Sequence, residues 1–378
     1  MEKKCIVQIC RDASDTGGGR VVIETSKYFA MNGYQVIIIT DTECDLRIDG
    51  ISFKYTWMGQ RLKHWNVKNK LLKTVRHFLQ MSIFMFLSSY ELRKIKKCDK
   101  IVLNHNLESI SGDIYVLHNV FNYENLKKNW LRKVLRWFNP VFLLRGGREL
   151  FLLSRAKNKT VICVSEKTLS EAKVFCNHNS NLLYINNGVN SDFFSYKVRD
   201  SLYSKCDMIF VGHEFERKGL DYAIESLLFV PDYVNLYIVG GSGSSQTKYE
   251  NLALKYNVSH RVHFKGTVLG KELVSLYHEC DLFILPSTYE TWALVGLESM
   301  SCGLPVLMTK VGGIPEYLSD HINGFFITQD SQDIANKINF FVENPEKYCK
   351  FSENARMTSL KHSWAVCAEK YLDVINSI

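Results

Sequence analysis

The feature that most constrains this chain is an alternation that starts twice. Residues 5–10, 34–40, 100–103, 113–117, 160–164 and 182–185 are short apolar runs that read as buried strands. The pattern then restarts at 207–211, 235–239, 261–264, 282–285, 305–308 and 325–327, with helical spacing over 221–230 and 271–280. Strands alternating with helices predict α/β architecture, so two doubly wound, Rossmann-like domains in tandem are expected. Turn residues at 186–190 and a polar stretch reaching Lys205 place a linker near 190–205. A length of 378 residues suits two domains, expected over 1–195 and 196–360.

Composition excludes several classes. Hydrophobic content of 46% with 12% aromatic residues rules out a disordered chain. The 11 cysteines are scattered, with no C-x-x-C pair, which argues for reduced thiols in a cytosolic protein and against structural zinc. No D-x-D motif or His/Asp cluster has metal spacing, so neither metal nor cofactor is expected. The N-terminus enters a strand without a signal-peptide pattern, and the longest apolar stretch, 78–87, is too short to span a bilayer.

The net charge of +8 conceals a division: residues 1–195 hold 30 Lys/Arg against 17 Asp/Glu, and residues 196–378 hold 17 against 22. Residues 61–97 contain ten basic side chains and one acid, Glu91, interleaved with Trp65, Leu71, Leu72, Val75 and Phe78. A second basic, aromatic segment covers 126–138. Such segments suit an anionic membrane surface, although part of each apolar face must pack on a sheet. Nucleic acid is disfavoured because no recognised module accompanies the charge.

Three constellations carry chemistry. The block P-S-T-Y-E-T-W-A-L-V-G-L-E-S-M-S-C-G-L-P-V holds Glu290 on a loop after a strand and Glu298 inside the following helix, expected over 292–301. Val311-Gly312-Gly313-Ile314-Pro315-Glu316 opens another helix. Arg217 and Lys218, in V-G-H-E-F-E-R-K-G-L-D, join a strand to a helix. Cations at a helix N-terminus oppose its dipole and so call for an anion to hold. Preorganised cations of this kind stabilise a departing diphosphate more in the transition state than before it. Gly17, Gly18 and Gly19 follow the first strand, where backbone amides can approach an anion, although the run lacks the third glycine of a nicotinamide site.

The E-x7-E block with its C-G-L-P-V strand and G-G-x-P-E turn resembles the donor-binding signature of retaining GT-B glycosyltransferases, family 4. The R-K-G-x-D run is similar to that of lipopolysaccharide-core members. The resemblance implies two domains facing a cleft, with a last helix, 361–378, returning to the N-terminal domain. It implies that Glu290 contacts the donor sugar or its phosphate and Glu298 the ribose. Trp292, Ala293, Leu294 and Val295 would offer amides, Val268 would lie by the nucleobase, and Gly17–Gly19 would touch the diphosphate. A glycine is usual where Ala293 stands, and an arginine where His213 stands. His118 would lie near the hexose and the acceptor, with His105 as the competing candidate.

The expected activity is therefore transfer of a hexose, from a UDP-sugar by family frequency, to a saccharide or lipid-linked acceptor in polysaccharide or lipopolysaccharide biosynthesis. The expected setting is the cytoplasm, at the inner membrane face. The alternatives are an epimerase, or a nucleotide-sugar-binding protein without transfer.

Overall fold

The computed structural model describes residues 5–14, 16–44, 47–57, 61, 69–95, 100–126, 138–199 and 205–378. The chain divides into two compact units, one ending at Asn187 and completed by Trp364–Ile378, the other Gly188–Ser363.

The first unit is built on seven parallel strands: β1 (Cys5–Ile9), β2 (Gln35–Thr40), β3 (Ile51–Tyr55), β4 (Lys100–His105), β5 (Ile114–Leu117), β6 (Thr160–Cys163) and β7 (Asn181–Tyr184), ordered β3-β2-β1-β4-β5-β6-β7. β1 and β5 are buried at every position, as strands covered on both faces must be. Around them lie α1 (Gly17–Met31), α2 (Lys70–Lys94), α3 (Phe121–Leu126), α4 (Pro140–Ser154) and α5 (Glu166–Ala172). β3 was not among the expected strands. Its apolar residues, Ile51, Phe53 and Tyr55, alternate with Ser52 and Lys54, the period-2 pattern of an edge strand rather than a continuous run.

The second unit repeats the design with β8 (Cys206–Val211), β9 (Val234–Val239), β10 (Val262–Gly266), β11 (Leu282–Leu285), β12 (Val306–Thr309) and β13 (Gly324–Ile327), ordered β10-β9-β8-β11-β12-β13. Its helices are α6 (Phe215–Lys218), α7 (Leu220–Ser226), α8 (Ser244–Lys255), α9 (Gly270–Glu279), α10 (Leu294–Ser301), α11 (Ser331–Glu343) and α12 (Pro345–Lys361). The final helix, α13 (Trp364–Asn376), belongs to the first unit, packs along α1, and is held there by Tyr34 Oη donating to Asn376 Oδ1 at 2.9 Å.

Strand order reverses between β1 and β4 in one sheet and between β8 and β11 in the other. Loops leaving the C-terminal ends of such strand pairs diverge to opposite faces and open a crevice, the general ligand position of doubly wound sheets.

One expectation is corrected here. The stretch at 190–199 is not a loose linker: Phe194 joins the core of the second unit, and Arg199 is buried, donating to the carbonyls of Tyr277 at 2.7 Å, His278 at 3.2 Å and Cys280. The crossing falls at Asn187/Gly188 rather than at 195/196. The basic segment at 61–97 has part of its apolar face packed on the sheet, as expected. Within α2, Met81, Phe84 and Leu92 are buried, Phe84 and Leu92 in the core cluster with Val7, Ile9 and Ile39, while Leu71, Leu72, Val75, Phe86 and Tyr90 are exposed. The second basic segment, 126–138, lies almost entirely outside the described residues. Among the described residues no helix is long and apolar enough to cross a membrane.

Candidate active site

In the second unit the loops after β8 and β11 are joined by backbone contacts before any charge is counted. A Cβ on Gly212 would lie 2.2 Å from Lys218 Cδ, so the glycine lets the lysine stem fold back against the chain. α6 is a single turn closed by Arg217 and Lys218, and Gly219, at φ +73°, ends it in the left-handed conformation. A Cβ on Gly219 would sit 2.2 Å from the Pro286 carbonyl oxygen. Thr288 donates to the Arg217 carbonyl from its N–H at 2.8 Å and its hydroxyl at 3.0 Å.

These contacts place three charges together. Glu290 Oε1 accepts from Lys218 Nζ at 2.9 Å, Arg217 Nη1 at 3.2 Å and Ser287 Oγ at 3.0 Å. Arg217 also donates to the Tyr289 carbonyl and, from Nε, to Glu214 Oε2 at 2.8 Å. Lys218 and Glu290 are 9% and 8% exposed. Burial alone would raise the Glu290 pKa; the charges of Lys218 and Arg217 outweigh it and hold the carboxyl below its ordinary range. Burial likewise pulls on Arg217, but Glu290 and Glu214 reverse the effect and its pKa is raised. Arg217 and Glu290 are therefore ionised throughout the neutral range. Contrary to the expectation of a helix N-terminus, Arg217 and Lys218 close the C-terminal end of α6, where cations are favoured, and the anion they hold is Glu290.

The G-G-x-P-E turn braces this loop. A Cβ on Gly312 would come within 1.8 Å of the Glu290 carbonyl oxygen and one on Gly313 within 2.4 Å of the Trp292 ring, and Gly313 N donates to Thr291 O at 2.9 Å. Trp292 is an anchor, its side chain 1% exposed and its ring set edge-on to Tyr317 at 5.4 Å. The helix expected from Trp292 begins at Leu294. Ala293 precedes it at φ +55°, ψ 67°, with no side-chain cap, so the first amides of α10, including Leu294 and Val295, are left to a ligand or solvent. Glu298 is buried inside α10. Val268 is half-buried on the turn after β10 and packs on the core.

One glycine turn escaped the sequence reading. Gly240-Gly241-Ser242-Gly243 follows β9, and Gly240 N donates to Gly266 O at 2.7 Å. A Cβ on Gly240 would lie 2.2 Å from the Gly212 carbonyl oxygen, and Gly241 N donates to His213 Nδ1 at 3.3 Å. The signal was present as a glycine-rich stretch directly after an apolar run.

The first unit gathers the other candidates at its own switch point. Gly17, Gly18 and Gly19 are not a loop before α1 but its first turn, with Thr16 Oγ1 accepting from Gly19 N at 3.2 Å. Gly19 is pressed on the Ser14 carbonyl, whereas a Cβ on Gly18 would face His118 and Asn106 at 3.6–3.8 Å. Sequence reasoning set His118 and His105 as rivals; the structure couples them, with His118 Nε2 3.1 Å from His105 Nδ1 and His105 Nε2 2.8 Å from Gln8 Oε1. The Gln8 amide nitrogen donates to the Val22 carbonyl at 3.0 Å, so its oxygen must accept from His105 Nε2–H. His105 Nδ1 then accepts from His118 Nε2–H, leaving His118 Nδ1 as a lone-pair acceptor. Burial drives His118 down to about 4 and, with the charge of His118 adding to it, His105 well below its ordinary value.

Residues 202–358, most of the second unit, match the profile of glycosyl transferases group 1. An uncharacterized glycosyltransferase of Methanocaldococcus jannaschii is 30% identical over 225 residues, 58% of this chain and 60% of its own length. A D-inositol 3-phosphate glycosyltransferase of Saccharomonospora viridis is 31% identical over 136 residues, 35% of this chain and 32% of its own. The matched stretches thus span between a third and three fifths of these relatives. Among solved structures, sucrose-phosphate synthase from Thermosynechococcus elongatus superposes with a TM-score of 0.80 at 19% identity, covering 99% of both chains. WaaG, a glycosyltransferase involved in lipopolysaccharide biosynthesis, gives 0.77 at 18% identity over 98% of this chain and 99% of its own. Anabaena HepE in complex with UDP-glucose gives 0.71 at 17% over 99% and 100%. The fold is the GT-B fold, built from two Rossmann-like units, and the second unit carries the sequence signature of a glycosyltransferase.

Proposed function

We propose that this protein is a retaining, metal-independent glycosyltransferase of the family 4 type that moves a hexose from a nucleotide sugar, a UDP-sugar first, to a saccharide or lipid-linked acceptor. The observation that carries the reading is the convergence of Arg217, Lys218 and Glu290 on loops at the β8/β11 switch point. Cleavage of a sugar–phosphate bond leaves charge on the departing diphosphate. Two cations already aimed by Glu290 stabilise that charge without reorganising at the moment of reaction. The uncapped start of α10 offers amides from Leu294 and Val295 to the same phosphates, while Glu298 on that helix suits ribose hydroxyls. Ala293 and Val268 would border the donor.

In the first unit, Gly17 to Gly19 would contact the diphosphate, and His118, neutral at pH 7, would place its Nδ1 acceptor toward the hexose or acceptor. The leaving phosphate would take the acceptor's proton during same-face attack, which removes the need for a second carboxylate nucleophile. The exposed apolar residues of α2 would rest on an anionic membrane face on the cytoplasmic side. Relatives point the same way: one is named for transfer to D-inositol 3-phosphate, and one structural neighbour holds UDP-glucose.

The test is a thermal-shift screen of UDP- and GDP-hexoses, followed by product analysis with and without acceptor. A ligand that binds only the folded chain raises its apparent stability by mass action. Absence of any shift, or turnover that survives Glu290→Ala, would sink the reading.

A further inference from the structure

The first unit contains an open cavity of about 590 Å³, within the usual range for a small-molecule site. It lies at the sheet's switch point: Arg11 follows β1, Asn106 and Glu108 follow β4, and Phe121 follows β5. α2 contributes Lys73 and His77, and α4 contributes Arg145 and Arg148. Among the described residues, four fixed cations therefore line this space with one carboxylate, Glu108.

That carboxylate is already engaged. Its Oε2 accepts from Arg11 N at 2.6 Å, and its Oε1 lies 3.8 Å from Arg11 Nε. Arg145 donates to Asn119 Oδ1 at 2.9 Å and stacks over the Phe121 ring at 4.6 Å. Among the described residues, Arg148 makes one long bond to the Asn106 carbonyl at 3.4 Å, and its buried Nε finds no hydrogen-bond partner. The guanidiniums also feel one another: burial, then the charges of Arg145 and Arg11 against Glu108, bring Arg148 down to about 10. His77 is likewise lowered, by burial first and then by Arg11 and Arg145. Clustered, half-dry guanidiniums with donors to spare are costly unless an anion completes them, and the planar fork matches a phosphoryl group.

We infer that this cavity recognises a phosphoryl group borne by the acceptor, held by the forks of Arg145 and Arg148 with Arg11 and Lys73 supplying charge. The acceptor is then a phosphorylated polyol or sugar, or a lipid phosphate whose tail leaves past Leu71, Leu72 and Val75, exposed residues flanking Lys73 on α2. This inference rests on the glycosyltransferase reading for the word acceptor, but the site is defined without it.

Calorimetric titration of the full chain with glucose 1-phosphate, farnesyl monophosphate and inorganic phosphate, against glucose and farnesol, tests it. At least one organic phosphate should bind tenfold or more tightly than its neutral counterpart, undisturbed by saturating UDP, and whichever binds tighter names the source. Arg145→Gln with Arg148→Gln should weaken it at least tenfold. Glu108→Gln, which keeps the bond to Arg11 N while removing the competing charge, should tighten it at least threefold. Equal binding of charged and neutral probes, an unchanged affinity in the double variant once circular dichroism shows it folded, or no gain in Glu108→Gln overturns the inference. If phosphates bind here and no nucleotide sugar binds the chain, the transferase reading falls and the site stands; the opposite pattern sinks the site and leaves the transferase.

Discussion

The two units carry basic clusters in corresponding places, each at the switch point of its own sheet, yet they differ in how far each is neutralised. Arg217 and Lys218 converge on Glu290, whose one oxygen accepts from both and from Ser287. Arg11, Arg145 and Arg148 line one cavity with a single described carboxylate, Glu108, which is engaged by Arg11. In the first arrangement the carboxylate fixes the direction of the cations, which under the proposed function a developing charge would then use. The second is incomplete by one anion. A buried charge that is paired stabilises little on balance but costs much when its partner is removed, whereas crowded cations can be relieved by losing one.

The largest effect should come from breaking the complete cluster. Glu290→Ala strands Lys218 in a dry site and frees Arg217, so donor turnover should fall about 10²–10³-fold and the second unit should lose about 3–5 kcal/mol. Both are measurable, by kcat and by chemical denaturation. Wild-type stability in this variant would mean that the Lys218–Glu290 contact holds nothing together.

Acid should separate the units. His118 binds its proton at about 4 in the folded chain, below the ordinary 6.5, so the unfolded chain protonates first. The stability tied to this group is intact above pH 6.5 and drains as the pH falls toward 4, by up to about 3 kcal/mol, with His105 and His77 acting in the same direction. Glu290 acts in the same direction but in a lower window: its lowered pKa gives stability that is complete above the usual carboxylate value and lost only as pH falls through the depressed one. His118→Asn should therefore flatten the loss between pH 6.5 and 4.5 in the first unit. An unchanged slope would show that the Gln8–His105–His118 chain does not hold the ring neutral.

The incomplete cluster should respond in the reverse sense. Arg148→Met removes a guanidinium that two neighbours oppose, and at low salt it should cost less than about 1 kcal/mol or raise stability slightly. A loss as large as that of Glu290→Ala would erase the contrast between the clusters.

Much of this contrast was legible in the sequence, but unevenly. Strands buried on both faces announce themselves as apolar runs, and twelve positions along the chain were placed this way; β3 was missed because an edge strand shows alternation instead. The stretch at 190–199 looked like a linker because Arg199 is charged, and nothing local shows that its guanidinium satisfies carbonyls on α9 and beyond. Arg217, Lys218 and Glu290 could be named because a family pattern joins positions 72 and 73 residues apart. The cavity of the first unit had no such pattern. Arg11, Glu108, Arg145 and Arg148 come from two strand ends and a helix, and only the fold makes them neighbours.

The smallest expected effect tests how the uncapped helix start of the second unit is shaped. Ala293 sits at φ +55°, a conformation that costs a non-glycine residue about 1 kcal/mol or more. Glycine would relieve that strain but return about 0.5–1 kcal/mol through its freer unfolded chain. Ala293→Gly should therefore shift the Tm of this unit upward by no more than about 3 °C, by calorimetry. The Ala293 carbonyl accepts from Tyr317 Oη at 3.1 Å and the amides of Leu294 and Val295 follow it, so their direction survives the change and UDP affinity should stay within about twofold. A tenfold change in affinity at constant Tm would show instead that the methyl group itself bounds the ligand, which would make Ala293 a determinant of donor choice rather than a tolerated strain.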